Sequence, residues 1–384
     1  MSIPVKFYLW LTFAWLILPE CYGQGHTKDS VDVYPDLFYE YRFANLEKKT
    51  PLNLEYNPLV RKYIEKYTKD RRTDVCKILG LSRLYFPIFE SLLDKYNLPF
   101  ELKYLAVVES GLDPLAKSSS GAVGIWQFLL SSSKMFDLKV DSYIDERCDV
   151  YKSTDAACRY FTYLYQTFHD WHLVLAAYNG GPGVVRNAIE RSGGKTNLWD
   201  LLPYLPEQTQ NYIPAFLAMN YLLNYAGDHH LSAIKPVFTF DDIDTLYINY
   251  QINFSQIADN IPVTIENLKF LNPQYKLNII PETGLKQMLV LPADQVKRYL
   301  AFENKMLSTQ STTDQAYFKN LQVYKINYVV RKGDFLHKIA MQHHCSLDEL
   351  RMWNQLTSDS ISPGQKLIIW ANEPPGPLPE SNPL

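Results

Sequence analysis

Cysteine is scarce in this chain, with five residues among 384. Their spacing matches no zinc-binding pattern, and the eight histidines have no metal-ligand spacing either. We therefore expect no metal site, and no motif predicts a cofactor. Cys148 and Cys158 are close in sequence, and two interpretations stay open for them: a disulfide in an oxidising compartment, or two unpaired thiols.

An excess of charge of one sign is missing as well. Lysine and arginine number 38 against 41 aspartates and glutamates, which leaves a net charge of -3. No cluster of basic residues stands out along the sequence. Because nucleic-acid-binding proteins carry a basic face, we expect no nucleic-acid partner.

Long apolar runs are also absent. Phe7–Leu18 is too short for a comfortable membrane span, and its position after Lys6 and before Cys21 is typical of a secretory signal. We predict a signal over residues 1–23 and an N-terminal lead-in over 24–50. Glu20 fits a lipoprotein signal poorly, so soluble export is favoured, and membrane association through a lipid anchor is the alternative.

A glutamate at the end of an apolar helical pattern is the most informative feature of the chain. Glu109 follows Leu105 by four residues, so it borders a buried stripe. Gly111 predicts that the helix ends there, and both the last helical turn and apolar surroundings disfavour carboxylate charge. A protonated acid suits general acid catalysis. Taken alone, the residue fits a solvated helix-end glutamate better than a catalytic acid.

Two glycine-bounded segments follow this helix. Gly124–Phe128 contains Gln127, and Ala177–Gly181 contains Tyr178 and Asn179. Individually they fit a surface glutamine, a half-buried core tyrosine and an ordinary loop. The second segment lacks the lysine of a phosphate loop and does not follow a strand, so phosphate binding is not expected.

The order of these segments resembles the lytic transglycosylases of glycoside hydrolase family 23. The resemblance covers about residues 51–230 and rests on Tyr85–Glu90, Glu109–Ser118, Gly121–Gln127, Asp145–Arg147, Asp170–Trp171, Ala177–Asn179 and Leu205–Pro214. It implies a mainly α catalytic domain with a goose-type-lysozyme-like fold. It also implies a periplasmic location and peptidoglycan glycan strands as the partner.

The resemblance also implies roles for individual residues. Glu109 matches the catalytic acid/base of the family. The matches to substrate-binding positions are Ser110, Ser118, Gln127, Tyr178, Asn179 and Tyr212. Departures from the family pattern are Ile125 for leucine, Gly180 for a small residue such as alanine, and Asp113 for asparagine. None of them removes a catalytic group, and Asp113, which precedes a proline, is expected to shape a turn.

The implied reaction uses one acid where most glycosidases use two. Glu109 would protonate the oxygen between N-acetylmuramic acid and N-acetylglucosamine and then accept a proton from the C6 hydroxyl, which gives a 1,6-anhydro product without water. Two alternatives remain open. One is a hydrolytic muramidase or chitinase with a held water and a second carboxylate, and the other is a non-catalytic peptidoglycan-binding protein.

Helical periodicity dominates residues 51–230. One predicted helix begins at Pro58. The others cover Leu84–Tyr96, Thr154–Phe168, Trp171–Tyr178 and Ile213–Tyr225. Ser153 and Asp170 are the predicted N-caps of two of these helices.

The C-terminal part changes character and predicts an α+β multidomain chain. Residues 326–371 fit a strand, two short helices and a strand, and their Gly333–Asp334, Leu350, Asn354 and Gly364–Gln365 positions resemble the LysM carbohydrate-binding module. Residues 244–293 resemble a degenerate LysM-like unit without the Gly-Asp turn. We predict a polar linker over 303–325 and a disordered proline-rich tail over 372–384.

Overall fold

The computed structural model describes residues 34–309, 324–343, 345–356 and 358–371. The predicted signal, the proline-rich tail and most of the predicted linker lie outside these residues. The chain divides into two compact units. The first comprises the residues up to Asp241 together with Pro273–Lys276, and the second comprises Asp242–Asn272 and the residues from Leu277 onward.

The first unit is helical. Its helices are α1 Asp36–Glu47, α2 Pro58–Lys69, α3 Arg72–Lys95, α4 Lys103–Ser110, α5 Leu130–Met135, α6 Val150–Phe168, α7 Trp171–Gly180, α8 Pro182–Arg191, α9 Leu198–Leu201 and α10 Glu207–Asn224. Helix α1 lies within the predicted lead-in and buries Tyr39 and Phe43, so this segment is part of the packed unit.

Several helices are longer than the predicted runs. Helix α3 begins at Arg72 and α10 at Glu207, ahead of the predicted starts at Leu84 and Ile213. Each contains an internal proline, Pro87 in α3 and Pro214 in α10. Proline removes one backbone donor and weakens the helical pattern, but burial of one face of each helix outweighs that cost.

The capping predictions had mixed outcomes. Asp170 does cap α7, with its carboxylate accepting from the Leu173 N–H at 2.9 Å. The prediction of Ser153 as the cap of α6 is wrong. The cap is Asp149, which accepts from the Lys152 N–H, whereas the Ser153 hydroxyl lies inside the helix and donates to the Asp149 carbonyl. An aspartate can satisfy the same free N–H as a serine, so both residues fitted the pattern.

An aromatic core lies beneath the turn that follows α4. Trp126 is fully buried, and its ring lies 5.1 Å from Phe89 of α3 and 5.7 Å from Phe161 of α6. The indole N–H donates to the Thr154 hydroxyl at 2.8 Å, so the buried donor is satisfied. This core fixes the segment Gly124–Phe128 against two long helices.

The second unit contains two modules of the βααβ type, and the first has an additional short strand pair within it. In the first, strands β1 Ile243–Ile248 and β4 Gln287–Pro292 pair antiparallel, β2 Ile252–Asn253 pairs with β3 Ile279–Ile280, and helices Phe254–Ala258 and Ile265–Leu271 lie between. The helix Val296–Thr309 follows and includes the first residues of the predicted linker. In the second, β5 Tyr324–Val329 pairs with β6 Lys366–Ala371 around helices Leu336–Gln342 and Leu347–Asn354. The predicted class, a mainly α domain followed by βααβ modules, is confirmed.

One asparagine secures the last strand of each module. In the first module the Asn272 amide accepts from the Val290 N–H and donates to its carbonyl, both at 2.8 Å. In the second, the Asn354 amide accepts from the Ile368 N–H at 2.6 Å and donates to its carbonyl at 2.8 Å. The unit interpreted as degenerate therefore keeps this contact although its Gly-Asp turn is missing.

Replacement of Asn354 by alanine is expected to destabilise the second module by about 1–2 kcal/mol, because it leaves two partly buried backbone groups without these partners. Hydrogen exchange at the Ile368 amide should accelerate, whereas exchange at Val290 should stay as in the wild type. Equal protection of Ile368 in both proteins would contradict the assigned role.

The four described cysteines, Cys76, Cys148, Cys158 and Cys345, are free. Of the two interpretations for Cys148 and Cys158, the structure has the unpaired thiols. Both are buried, and burial raises the pKa of each to about 12. Within the described ranges, no helix has the length and apolar character needed to cross a membrane.

Candidate active site

Glu109 lies in the last turn of α4, as the sequence predicts. Gly111 ends the helix with a left-handed backbone (φ 63°), and its N–H closes the final turn on the Val107 carbonyl at 2.8 Å. Residues with a Cβ rarely adopt this conformation, so a glycine is favoured there. The chain turns away at once and leaves the Glu109 side chain at the helix end.

Tyr212 of α10 holds this carboxyl group. Its hydroxyl donates to Glu109 Oε1 at 2.6 Å across 103 residues of sequence. Burial and the charge of Glu109 keep the pKa of Tyr212 well above its usual value, so the hydroxyl remains a donor. Within the described residues, Oε2 has no hydrogen-bond partner, so it is the oxygen available to carry the carboxyl proton.

Burial raises the pKa of Glu109 to about 7, and the hydrogen bond from Tyr212 lowers it by a smaller amount. Within the described residues, no second carboxyl group contributes to this shift. Asp113, the nearest other acid along the chain, is exposed and accepts from the Leu115 N–H at 2.8 Å. That contact is the predicted turn. Glu109 is thus a lone acid that is partly protonated near neutral pH.

Tyr178 and Asn179 lie at the C-terminal end of α7. The Tyr178 hydroxyl donates to the Trp126 carbonyl at 2.7 Å, and the charge of Glu109 contributes to the raised pKa of Tyr178. Asn179 Oδ1 accepts from the buried Thr209 hydroxyl at 3.0 Å, and no described residue accepts a hydrogen bond from its amide nitrogen. These contacts tie α7 to the Gly124–Phe128 segment and to α10.

Gln127 has a left-handed backbone (φ 53°) in a tight turn. Its side-chain amide nitrogen donates to the Gly124 carbonyl at 2.8 Å and to the Ala116 carbonyl at 3.1 Å. These two carbonyls use both donors of the amide, and the part of the chain that the structure describes offers no donor to Oε1. Oε1 can therefore accept a hydrogen bond from a ligand hydroxyl.

A buried ion pair supports this turn from below. Arg147 contacts Asp145 through two hydrogen bonds at 2.9 and 2.8 Å, and its third nitrogen faces the carbonyls of Gly121 and Phe128 at 3.4 Å. The Arg147 carbonyl lies 1.9 Å from the position that a Cβ on Gly124 would occupy. Only glycine allows the turn to lie this close to the arginine segment.

The two serines differ in what they contact. Ser110 donates to the Ala106 carbonyl at 3.0 Å and to the Ile125 carbonyl at 2.9 Å, so its proton links the helix of Glu109 to the Gln127 turn. Ser118 accepts from the Ala122 N–H at 3.0 Å and shares a hydrogen bond with Ser120 at 2.9 Å. No hydrogen bond among the described residues joins Ser118 to Glu109.

The structure thus brings Glu109, Tyr212, Tyr178 and Asn179 together and connects Gln127 and Ser110 to them through backbone carbonyls. Sequence analysis assigned no role to Thr209 or to the Asp145–Arg147 pair. Thr209 precedes Tyr212 by three residues on one helix, so both lie on the same side of the helix. This spacing could have predicted a role for Thr209 in the site.

Comparison with protein families finds three matches along the chain. Residues 86–198 match the Transglycosylase SLT domain. Residues 242–307 match the LysM-like domain of lytic transglycosylase MltD, and residues 328–370 match the LysM domain.

Two curated relatives extend this result. The chain is 30% identical to membrane-bound lytic murein transglycosylase D of Escherichia coli (strain K12) over 335 residues, which cover 86% of this chain and 72% of the relative. It is 30% identical to soluble lytic murein transglycosylase of the same strain over 131 residues, which cover 32% of this chain and 20% of the relative. The crystal structure of the 70 kDa soluble lytic transglycosylase Slt70 from E. coli matches 53% of this chain and 37% of its own at 21% identity and a TM-score of 0.35.

The family predicted from the motif order is therefore confirmed by the SLT match and by the first relative. LysM modules predicted at the C-terminal end are confirmed as well. The chain belongs to the lytic murein transglycosylases, with an SLT catalytic domain followed by LysM-type modules.

Proposed function

We propose that this enzyme cleaves the β-1,4 bond between N-acetylmuramic acid and N-acetylglucosamine without water and leaves 1,6-anhydro ends. The observation that carries the proposal is the state of Glu109: a carboxyl group with a pKa of about 7, bonded to Tyr212, with no second carboxyl acting on it within the described residues. One group that titrates near neutral pH can serve as acid and then as base.

The proposed reaction uses one proton twice. Glu109 Oε2 donates its proton to the glycosidic oxygen, the C1–O bond breaks, and the N-acetylglucosamine side leaves as an alcohol. The acetamido oxygen of the muramic acid unit stabilises C1. The Glu109 carboxylate then accepts the proton of the C6 hydroxyl, whose oxygen forms the new bond to C1. The carboxyl is protonated again at the end of the cycle.

The surrounding polar groups suit a sugar ligand. We propose that Gln127 Oε1 and the Asn179 amide nitrogen bond sugar hydroxyl and acetamido groups, and that the Tyr178 ring packs against a sugar face. Ser118 would contact the sugar through its hydroxyl group. Ser110 would act by positioning, because its hydroxyl donates to two backbone carbonyls.

A hydrolytic muramidase is the alternative that shares Glu109. Inverting enzymes place a second carboxyl group about 6.5–9.5 Å from the first to hold a water, and retaining enzymes place it about 5–5.5 Å away. Asp113 is exposed and engaged in a turn, so it is a poor candidate for either role. A non-catalytic binder would have no need of an acid with a raised pKa.

We propose that the enzyme works in the cell envelope as an exported protein. The name of the first relative describes a membrane-bound enzyme, and the predicted signal over residues 1–23 lies outside the described residues. The LysM-type modules would hold the enzyme on its polymer and raise the local concentration of cleavable bonds.

Product analysis tests the proposed chemistry. Purified murein is digested with the mature protein, and the muropeptides are separated by mass spectrometry. We expect products one water lighter than those of a muramidase digest. Reducing ends with the full mass would identify hydrolysis, and an absence of products with binding retained would identify a binding protein.

The pH dependence provides a second test. The rate constant kcat/KM should fall as the pH rises through about 7, because the donating form of Glu109 is lost. Tyr212→Phe removes the hydrogen bond that lowers the pKa of Glu109, so the fall of kcat/KM on the alkaline side of the pH profile (the alkaline limb) should occur at higher pH. Tyr104→Phe is the matched control, since its hydroxyl contacts Asn224 at 3.0 Å, and the limb should not move. An alkaline limb at the same or at lower pH in Tyr212→Phe would exclude the role of Tyr212 in lowering the pKa of Glu109.

A further inference from the structure

A row of aromatic rings leads away from the candidate site along α6. The ring of Tyr178 lies 5.5 Å from that of Tyr160, and Tyr160 lies 6.3 Å from Tyr163 with the two planes at 14°. Residues 160 and 163 are three apart on one helix and therefore share a side. Tyr178 and Tyr160 are half-buried, whereas Tyr163 is 44% exposed. The row thus runs from Tyr178, whose pKa is raised in part by the charge of Glu109, to the exposed Tyr163.

Packing against buried phenylalanines supports the ring of Tyr160. Phe136, which is buried, lies 5.3 Å from Tyr160 and 6.1 Å from Phe128. Phe128 directly follows Gln127 in the turn beside Glu109. Tyr160 therefore shares its support with the Gln127 turn through Phe136 and Phe128.

The polar ends of the two outer rings have no protein partner. No hydrogen bond within the described residues involves the hydroxyl of Tyr160 or Tyr163. Tyrosine combines a wide apolar face with one donor and acceptor group. A pyranose has the same combination, with an apolar C–H face and hydroxyls at its rim.

Another exposed tyrosine of the same helix stacks on a ring of the protein itself. Tyr165 stacks on Trp171 with the ring centres 4.3 Å apart and the planes at 21°. Two residues along a helix correspond to about 200° of rotation, so Tyr165 faces away from Tyr163. The only ring near Tyr163 in the described part of the chain is Tyr160. Tyr163 is 44% exposed, so much of its ring is open to solvent.

We propose that Tyr160 and Tyr163 form an additional saccharide-binding site, which holds N-acetylated sugar units of the strand being cleaved at a distance from the cleaved bond. The inference rests on the proposed function for the identity of the strand. The site is continuous with the candidate site through Tyr178, so one strand occupies both. Long strands reach it and short oligosaccharides do not, which makes it a determinant of strand-length preference.

The test compares kcat/KM on long glycan strands with kcat/KM on a short oligosaccharide containing one cleavable bond. Tyr163→Ala should lower the ratio of long to short about tenfold, the effect of losing one aromatic anchor. Tyr163→Trp should restore the ratio, because an aromatic face is retained. Tyr165→Ala is the matched control on the opposite side of the helix and should leave the ratio as in the wild type. An unchanged ratio in Tyr163→Ala, or an equal loss in Tyr165→Ala, would overturn the proposal.

Binding separates this inference from the proposed reaction. Affinity for long strands is measured by electrophoresis in a gel containing soluble glycan strands, with Glu109→Gln as the background so that no strand is cut. Adding Tyr163→Ala should reduce retardation and adding Tyr165→Ala should not. If the products prove hydrolytic, the anhydro reaction fails but this difference still supports the saccharide site. If the products are anhydro and the difference is absent, only the saccharide site fails.

Discussion

Replacing Glu109 with glutamine is expected to lower kcat on murein by about 100- to 10,000-fold, the range attributed to a positioned general acid. Glutamine keeps the size of the side chain and still accepts the Tyr212 hydrogen bond through its amide oxygen. It cannot donate a proton to the glycosidic oxygen or take one from the C6 hydroxyl. The measurement is the rate of muropeptide release at neutral pH.

The matched control is Asp113→Asn, which changes the nearest other acid in the same way. Asparagine can still accept from the Leu115 N–H, so the turn and the activity should be kept. Thermal unfolding should give the same midpoint for the wild type and both variants within a few degrees. Comparable activity loss in the two variants would mean that a second carboxyl group takes part, and retained activity in Glu109→Gln would remove it from the mechanism.

The second large effect is expected for Gly124→Ala, at about 3–5 kcal/mol of lost stability. Two costs combine at this position. The backbone φ of 92° is unfavourable for any residue with a Cβ, and that Cβ would lie 1.9 Å from the Arg147 carbonyl oxygen. The obstacle is backbone held by a buried ion pair, so it cannot move aside cheaply. The measurement is the free energy of unfolding in urea, compared with that of the wild type.

Gly121→Ala is the matched control for this prediction. Gly121 has a similar φ of 84°, but a Cβ there would meet nothing within 4 Å. Its substitution should cost about 1 kcal/mol from backbone strain alone. The difference between the two variants therefore isolates the contact with Arg147. Equal losses in the two would mean that the turn can shift away from the arginine segment.

The position of Glu109 could be predicted because its determinants are local. The leucines before it and Gly111 after it define one short helix, and the pKa follows from burial at its end. The partner of the glutamate could not be located in the same way. Tyr212 is 103 residues away, and its contact depends on how α10 packs against α4. Only the resemblance to a family placed the tyrosine near the site.

Element boundaries were harder to predict than the elements themselves. At the start of α6, Asp149 and Ser153 both have side chains that accept from a free N–H, and local pattern does not separate them. The structure decides in favour of Asp149, which is buried beneath the helix end. The Arg147–Asp145 pair was noticed as part of a motif, but its role depends on the carbonyls of a turn some twenty residues earlier.

The asparagine contacts in the two modules have a further consequence for the sheets. A two-stranded sheet leaves unpaired backbone groups on its outer edges, and such edges invite pairing with strands of other chains. Asn272 occupies both backbone groups of Val290, and Asn354 occupies those of Ile368. Each side-chain amide therefore forms the two hydrogen bonds that a neighbouring strand would form with that residue, which lies near the middle of the last strand. A strand of another chain therefore cannot pair with this edge at Val290 or at Ile368 unless it displaces the asparagine.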